Sequence, residues 1–237
     1  MAPIVVLRCG DAVKEVAARR GEFASWIRAG VGDAWAGDWH EHDLRTDAPP
    51  PAPSSASAFV ITGSSSNVTE QAPWMTRAEP YLRELVTSGT PVLGICFGHQ
   101  ILAHALGGKV TKNPRGREIG TVPVTKVTSD PLWAGLGDPF AANATHVESV
   151  VALPPGARLL ATTSLDPYAA YALGDRVRCV QFHPEIDGDA MRGYIGARAH
   201  FMRDEGLDPD AAHARAHDAD GAAILKSFVR GFVARAG

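Results

Sequence analysis

Three side chains in this sequence could together break an amide bond. Cys96 stands in the run Pro91-Val92-Leu93-Gly94-Ile95-Cys96-Phe97-Gly98-His99-Gln100, and His183 and Glu185 stand far down the chain in Gln181-Phe182-His183-Pro184-Glu185. A thiolate attacks a carbonyl carbon, an imidazole takes the thiol's proton and returns it to the leaving group, and a carboxylate fixes the imidazole's tautomer. Residues two apart in an extended segment point to one side, so His183 and Glu185 can face a common partner. Pro184 helps by keeping His183 out of the helical region. A lone cysteine beside an apolar strand reads as a buried small hydrophobe; the downstream histidine and carboxylate argue against that reading here.

Such chemistry needs elements that hold the thiol up. The β-branched run before Cys96 predicts a strand, and Ile101, Leu102, Ala105 and Leu106 predict a helix directly after it. That is a strand, a sharp elbow and a helix. Gly94 and Gly98 are expected where strand and helix come too close for a β-carbon. The unpaired N–H groups at the helix start favour the thiolate. A tetrahedral oxyanion also requires two aimed backbone N–H donors, one of which should come from Phe97.

The order G-I-C-F-G-H-Q and then Q-F-H-P-E resembles the class I (triad) glutamine amidotransferase family, from about residue 4 to 186 and again in the last helix. An α/β-hydrolase with a cysteine elbow would place an acid between nucleophile and histidine, so the H-x-E pair argues against that alternative. The resemblance implies a second oxyanion donor from the Gly63-Ser64 turn. There the family has an S-G-G-P-like turn, and this chain has Ser64 for the second glycine and Ser65 for the proline. Thr145-His146-Val147-Glu148 matches the family segment H-G-D, with Val147 for the usual glycine. By the same resemblance Gly63, Gln100, Thr145, Val147 and Glu148 are expected to contact substrate, Glu148 offering its charge to an ammonium group. Gly116-Arg117-Glu118-Ile119-Gly120 resembles the free-standing, GMP-synthase-like branch, with Arg117 or Glu118 expected either to border the substrate pocket or to pair with each other on its rim.

The activity implied is release of ammonia from the glutamine side chain through a γ-glutamyl thioester on Cys96, without a cofactor. The family passes that ammonia to a synthase partner, and the chain has no P-loop of its own. Two alternatives stand beside it. One is a γ-glutamyl peptidase-like hydrolase of γ-glutamyl amides or peptides. The other is an inactive or partner-dependent binding module that keeps the pocket.

The 237 residues, net charge of −3 and pI near 6.3 give no electrostatic reason to expect nucleic acid or a membrane surface. Three cysteines without metal spacing fit a reducing compartment, with Cys9 and Cys179 read as packing residues in strands. The apolar opening Ile4 to Leu7 is too short for a signal peptide or a span, so a soluble cytoplasmic protein is expected. His40-Glu41-His42-Asp43 lies on a predicted strand whose alternate residues diverge, so no metal site is implied.

One domain over residues 1–237 is expected, a flavodoxin-like α/β fold with a parallel sheet flanked by helices and an antiparallel extension. The pattern predicts one helix over 12–29, a loop over 44–57 and a helix restarting at Pro80. A long strand is expected over 121–128, and further strands over 158–163, 168–173 and 177–182. Residues 187–220 read as a helical addition. Its first helix leaves the histidine segment directly and could act as a lid. Its second carries His213 and His217 one turn apart on a solvated face. Ile224, Leu225, Phe228, Val229 and Phe232 predict a closing helix.

Overall fold

A strand covered on both faces must be apolar at every position. Ile4 to Leu7 meets that demand and forms β1 (Ile4–Arg8), with those four side chains buried. In the computed structural model, which describes residues 1–233, β1 pairs in parallel with β2 (Trp39–Asp43) and with β3 (Ala58–Ile61). β3 pairs in parallel with β4 (Val92–Ile95). Further strands are β5 (Lys109–Lys112), β6 (Glu118–Lys126), β7 (Phe140–His146), β8 (Glu148–Ala152), β9 (Ala157–Thr162), β10 (Ala170–Leu173) and β11 (Val177–Val180). The main sheet runs β2-β1-β3-β4-β11-β10-β9-β6-β7, and β5 with β8 makes a separate antiparallel pair.

β11 is the strand on which the two halves of the sheet meet. It is parallel to β4 and antiparallel to β10, and everything beyond it is antiparallel. Val180 lies opposite Ile95 in that pairing. The segment carrying His183 therefore leaves the sheet beside the residue that precedes Cys96. Two strands far apart in sequence end at one edge, where active groups collect in open α/β sheets.

The helices follow the sequence with some revisions. In place of one helix over 12–29 there are two, α1 (Lys14–Arg20) and α2 (Phe23–Val31). Gly21 between them has φ 79°, a conformation that ends a helix. α3 (Pro73–Thr87) does not restart at Pro80; Pro73 opens it, and Pro80 sits inside on the solvent side. A carbonyl left without its helical partner there can be hydrated, which is why the ring is tolerated. The elbow helix is α4 (Phe97–Ala105). The addition contains α5 (Gly188–Asp204) and α6 (Pro209–Arg215). α7 (Gly221–Phe228) continues into a π-helical turn over Val229–Val233. Because α6 stops at Arg215, His213 and His217 do not share a helix face.

Alternation along β1 sends Ile4 and Val6 to one core and Val5 and Leu7 to the other. The first core joins α2, α5 and α7 to the sheet, and the second joins α3 and α4. The addition is fastened at several points. Asp187 caps α5 by accepting the Ala190 N–H at 2.9 Å, and Arg20 of α1 pairs with Asp187 and, at 3.1 Å, with Asp189. Two glycines allow closer contacts still. A β-carbon at Gly188 would lie 2.6 Å from the His217 carbonyl carbon, and one at Gly221 would lie 2.2 Å from the Pro184 oxygen. Among the described residues no helix is long and apolar enough to cross a membrane.

Candidate active site

The elbow is as tight as its glycines suggest. A β-carbon at Gly94 would sit 2.9 Å from the Gly98 oxygen, and one at Gly98 would sit 2.4 Å from the Ile61 oxygen. Cys96 is held at φ 51° and ψ −100°, a region that costs a residue with a side chain about 1–3 kcal/mol. Its own N–H donates to the Val180 oxygen at 2.8 Å, and its carbonyl accepts the Gln100 N–H at 3.0 Å. The strand bond and the first helical bond together hold the strained turn.

Behind the elbow the histidine segment is pinned by Asn143 of β7. The His183 N–H donates to the Asn143 carbonyl at 2.8 Å, and the Asn143 side chain donates to the Ile186 carbonyl at 2.8 Å. Nδ1 of His183 is 2.7 Å from Oε1 of Glu185. Phe23 of α2 stacks on the imidazole at 6.2 Å between centroids. A β-carbon at Gly63 would lie 2.8 Å from Cε1 of His183 and 3.8 Å from Cβ of Cys96. This glycine is therefore demanded by the ring beside it.

The electrostatics separate Cys96 from the other thiols. Burial alone pushes a thiol pKa up. At Cys96 the charge and hydrogen bonding of His183, with His146 farther off, more than offset burial, and the thiol lies below its ordinary value. Burial pulls the His183 imidazole down, but the charges of Glu185 and Cys96 outweigh it and hold the imidazole up at about 10. Both shifts run in the direction that favours a thiolate beside an imidazolium. Cys179 on β11 has no such neighbour, and burial pushes it up to about 12; burial likewise raises Cys9, which lies one residue beyond β1.

Sulfur and imidazole open into different chambers. Cys96, Gln100, Thr145, Val147, Glu148 and Ser64 line a cavity of about 430 Å³. His183, Phe23, Asp11, Lys14 and Tyr194 line an adjoining one of about 340 Å³. Val13, Ser64, Ser65, Thr145 and Arg198 are on the walls of both. A third cavity, of about 460 Å³, lies behind Glu185 next to Arg20 and Trp26, without sulfur or imidazole on its wall.

Of the residues expected from the sequence, Ser64, Cys96, Gln100, Thr145, Val147 and Glu148 line the sulfur's chamber and His183 the one beside it, whereas Glu185 is on the wall of the third cavity. Neither the Phe97 nor the Ser64 N–H has an acceptor among the described residues. The Ser64 hydroxyl accepts the Ser66 N–H at 3.1 Å and so braces the turn, against which Gly10 packs so closely that a β-carbon would be 2.6 Å from the Ser64 Cα. Gln100 donates to the Glu148 carbonyl at 2.7 Å and to the Gln181 side chain at 3.0 Å, which leaves its oxygen for a ligand. Glu148 is held by the hydroxyl and N–H of Thr69. Thr145 Oγ1 is buried without a partner. Arg117 and Glu118 do not pair with each other. Arg117 grips Glu205 at the end of α5 at 2.7 Å and 2.9 Å, whereas Glu118 is buried against His146 at 3.1 Å and Thr163 at 2.6 Å.

Sequence reasoning missed several neighbours. Gln181 Nε2 donates to the Cys96 sulfur at 3.5 Å. Burial lowers the His146 pKa, but hydrogen bonding and charge from Glu118 reverse this and raise it. The signal for that pair is β6–β7 register, Glu118 opposite His146, which a single strand does not announce. Ala197, Arg198 and Phe201 put α5 on the wall of the cavity that Cys96 lines.

Comparison with known proteins agrees with this arrangement. The glutamine amidotransferase class-I family matches residues 39–197. A GMP synthase from Thermomicrobium roseum is 46% identical over 102 residues, which are 43% of this chain and 19% of that protein. Gamma-glutamyl peptidase 4 from Arabidopsis thaliana is 34% identical over 139 residues, 56% of this chain and 55% of the relative. The matched stretch thus spans between about a fifth and about half of those relatives. The crystal structure of a glutamine amidotransferase from Thermotoga maritima superposes with a TM-score of 0.77 at 21% identity, over 98% of this chain and 99% of the other, and so has the same fold. With its elbow, its sheet order and its match over most of its length, the chain belongs to the class-I glutamine amidotransferase family.

Proposed function

We propose that the protein hydrolyses γ-glutamyl amides, the side-chain amide of glutamine first among them, through a thioester on Cys96. The thiolate attacks the γ-carbonyl carbon, and the N–H groups of Phe97 and Ser64 receive the oxyanion. The carbon–nitrogen bond breaks as His183 gives its proton to the departing amine, with Glu185 holding the imidazole. Water, losing a proton to His183, then opens the thioester and returns the thiol and glutamate. Gln100, Thr145, Val147 and Glu148, with Gly63 making room beside the ring, would hold the glutamyl half.

The observation that supports this reading is the 2.7 Å His183–Glu185 pair together with a Cys96 thiol whose pKa is lowered by that imidazole. Its test is ammonia release from glutamine by the purified chain, with labelling of Cys96 by an electrophilic glutamine analogue followed by mass spectrometry. A Cys96→Ala variant that retained full activity would overturn it, and failure to label at any pH would favour the binding-module alternative. Where ammonia is the product, a synthase partner is its natural acceptor. The three free thiols support a reducing compartment such as the cytoplasm. We take residues 1–237 as one catalytic unit, with 187–220 an addition that covers the thiol.

One observation favours a second reading. The chamber beside His183 holds about 340 Å³, whereas ammonia needs about as much room as a water, roughly 30 Å³. A larger amine, as in γ-glutamyl peptides, fits that space, and the likeness to a γ-glutamyl peptidase points the same way. Turnover of γ-glutamyl anilides or peptides above that of glutamine would decide for it.

A further inference from the structure

α5 places a cation over the cleft without giving it an anion. Nη1 of Arg198 is buried with no hydrogen-bond partner, and Arg198 forms no ion pair among the described residues. Its guanidinium lies 4.8 Å from the Tyr194 ring, which supports the cation without neutralising it. Burial, and then repulsion from Arg117, hold its pKa below the ordinary arginine value, against the attraction of Tyr194 and Cys96. Nearby Lys14 also has no carboxylate partner among the described residues, while Asp11 is held by Arg8 at 2.6 Å and by Arg45 at 2.8 Å. A cation partly withdrawn from water and left without an anion is disfavoured, and a planar guanidinium is suited to a carboxylate.

The side of the scissile bond follows from the proton. His183 delivers it to the leaving nitrogen, so the leaving group enters the chamber that His183 lines. Arg198 is on the wall of that chamber as well as of the sulfur's. We infer that Arg198 forms a subsite for an anionic leaving group, the carboxylate of the amino acid or peptide released when a γ-glutamyl amide is cut. The inference rests on the proposed γ-glutamyl chemistry and assigns its leaving side.

The test separates binding from turnover. The Cys96→Ala chain is titrated by calorimetry with γ-glutamylglycine and with γ-glutamylglycinamide, which differ in one charge. The free carboxylate should bind about tenfold or more tightly, as expected for a charge-assisted hydrogen bond. Arg198→Gln in the same background should abolish that preference, and Arg198→Lys should restore part of it. Equal affinity of the two ligands for Cys96→Ala overturns the subsite, as does a preference that Arg198→Gln leaves intact. With the active enzyme, the kcat/KM ratio of the two substrates should shift in parallel. A chain that prefers the free acid in binding but cuts neither compound would defeat the hydrolase reading and leave the subsite standing. An Arg198→Gln change that alters the pH profile of Cys96 alkylation and not the ligand preference would show that the arginine serves the thiolate instead.

Discussion

The two walls of the cleft are built on different principles. The elbow wall, from the ends of β3 and β4 into α4, is a backbone object: glycines at which a β-carbon would come within 2.4–2.9 Å of other backbone atoms, a strained Cys96, and N–H groups left open. The α5 wall is a side-chain object in which Tyr194, Arg198 and Phe201 reach down from a helix fastened at its ends. Backbone walls fix where a reacting atom sits, and side-chain walls select what is brought to it. Reaction type should therefore be brittle on the first wall, and substrate preference adjustable on the second.

Changes to the elbow wall should have the largest effects. Cys96→Ala should lower amide hydrolysis by about 10⁴-fold or more, read as ammonia or amine release, while the far-ultraviolet spectrum stays that of the wild type. Residual turnover within tenfold of wild type would break the contrast at its strongest point. Gly98→Ala drives a methyl into the Ile61 carbonyl and should cost at least about 2 kcal/mol in urea unfolding, with β4 and α4 displaced.

Next comes the pairing that sharpens the sulfur. Labelling by a neutral alkylating agent should stay fast through neutral pH in the wild type, because the thiol pKa is lowered and that of His183 is raised to about 10. In His183→Gln burial and the charge of Glu185 raise the thiol with only His146 opposing them, so the labelling profile should move to higher pH. An unchanged profile would mean that the imidazole does not set the thiolate. The smallest effect belongs to the α5 wall. Arg117→Gln removes a partly exposed ion pair with Glu205 and should lower stability by under about 1 kcal/mol, a fall in Tm of about 4 °C at most, with any kinetic change confined to KM. A large fall in kcat would show that α5 positions the chemistry as well as the ligand.

The elbow wall was also the legible one. Gly94, Cys96, Gly98 and the pair His183 and Glu185 are adjacent or at strand spacing, so local rules suffice to read them. The parallel sheet with its antiparallel extension followed from the order of helical and β-periodic segments. What escaped depends on register and approach. Glu118 and His146 meet only because β6 and β7 pair as they do, and Asn143 pins His183 from a strand whose sequence carries no sign of it. The break at Gly21 turned on a positive φ, and Pro80 was tolerated because that face of α3 meets water. No local pattern singles out Arg198. Its isolation is visible only when the helix is laid over the cleft.

The glycine contacts at the two ends of the addition have a practical consequence. Gly221 presses on the oxygen of Pro184, between the histidine and the glutamate, so a single methyl group there would be felt by the reacting atoms. The exposed turn at Gly206 and Leu207, by contrast, lies far along the addition from that contact, and lengthening a flexible loop costs only about 0.6 kcal/mol per doubling. A tether or a reporter spliced at the turn should leave the proposed hydrolysis intact, which makes the tip of the cover a handle on the protein.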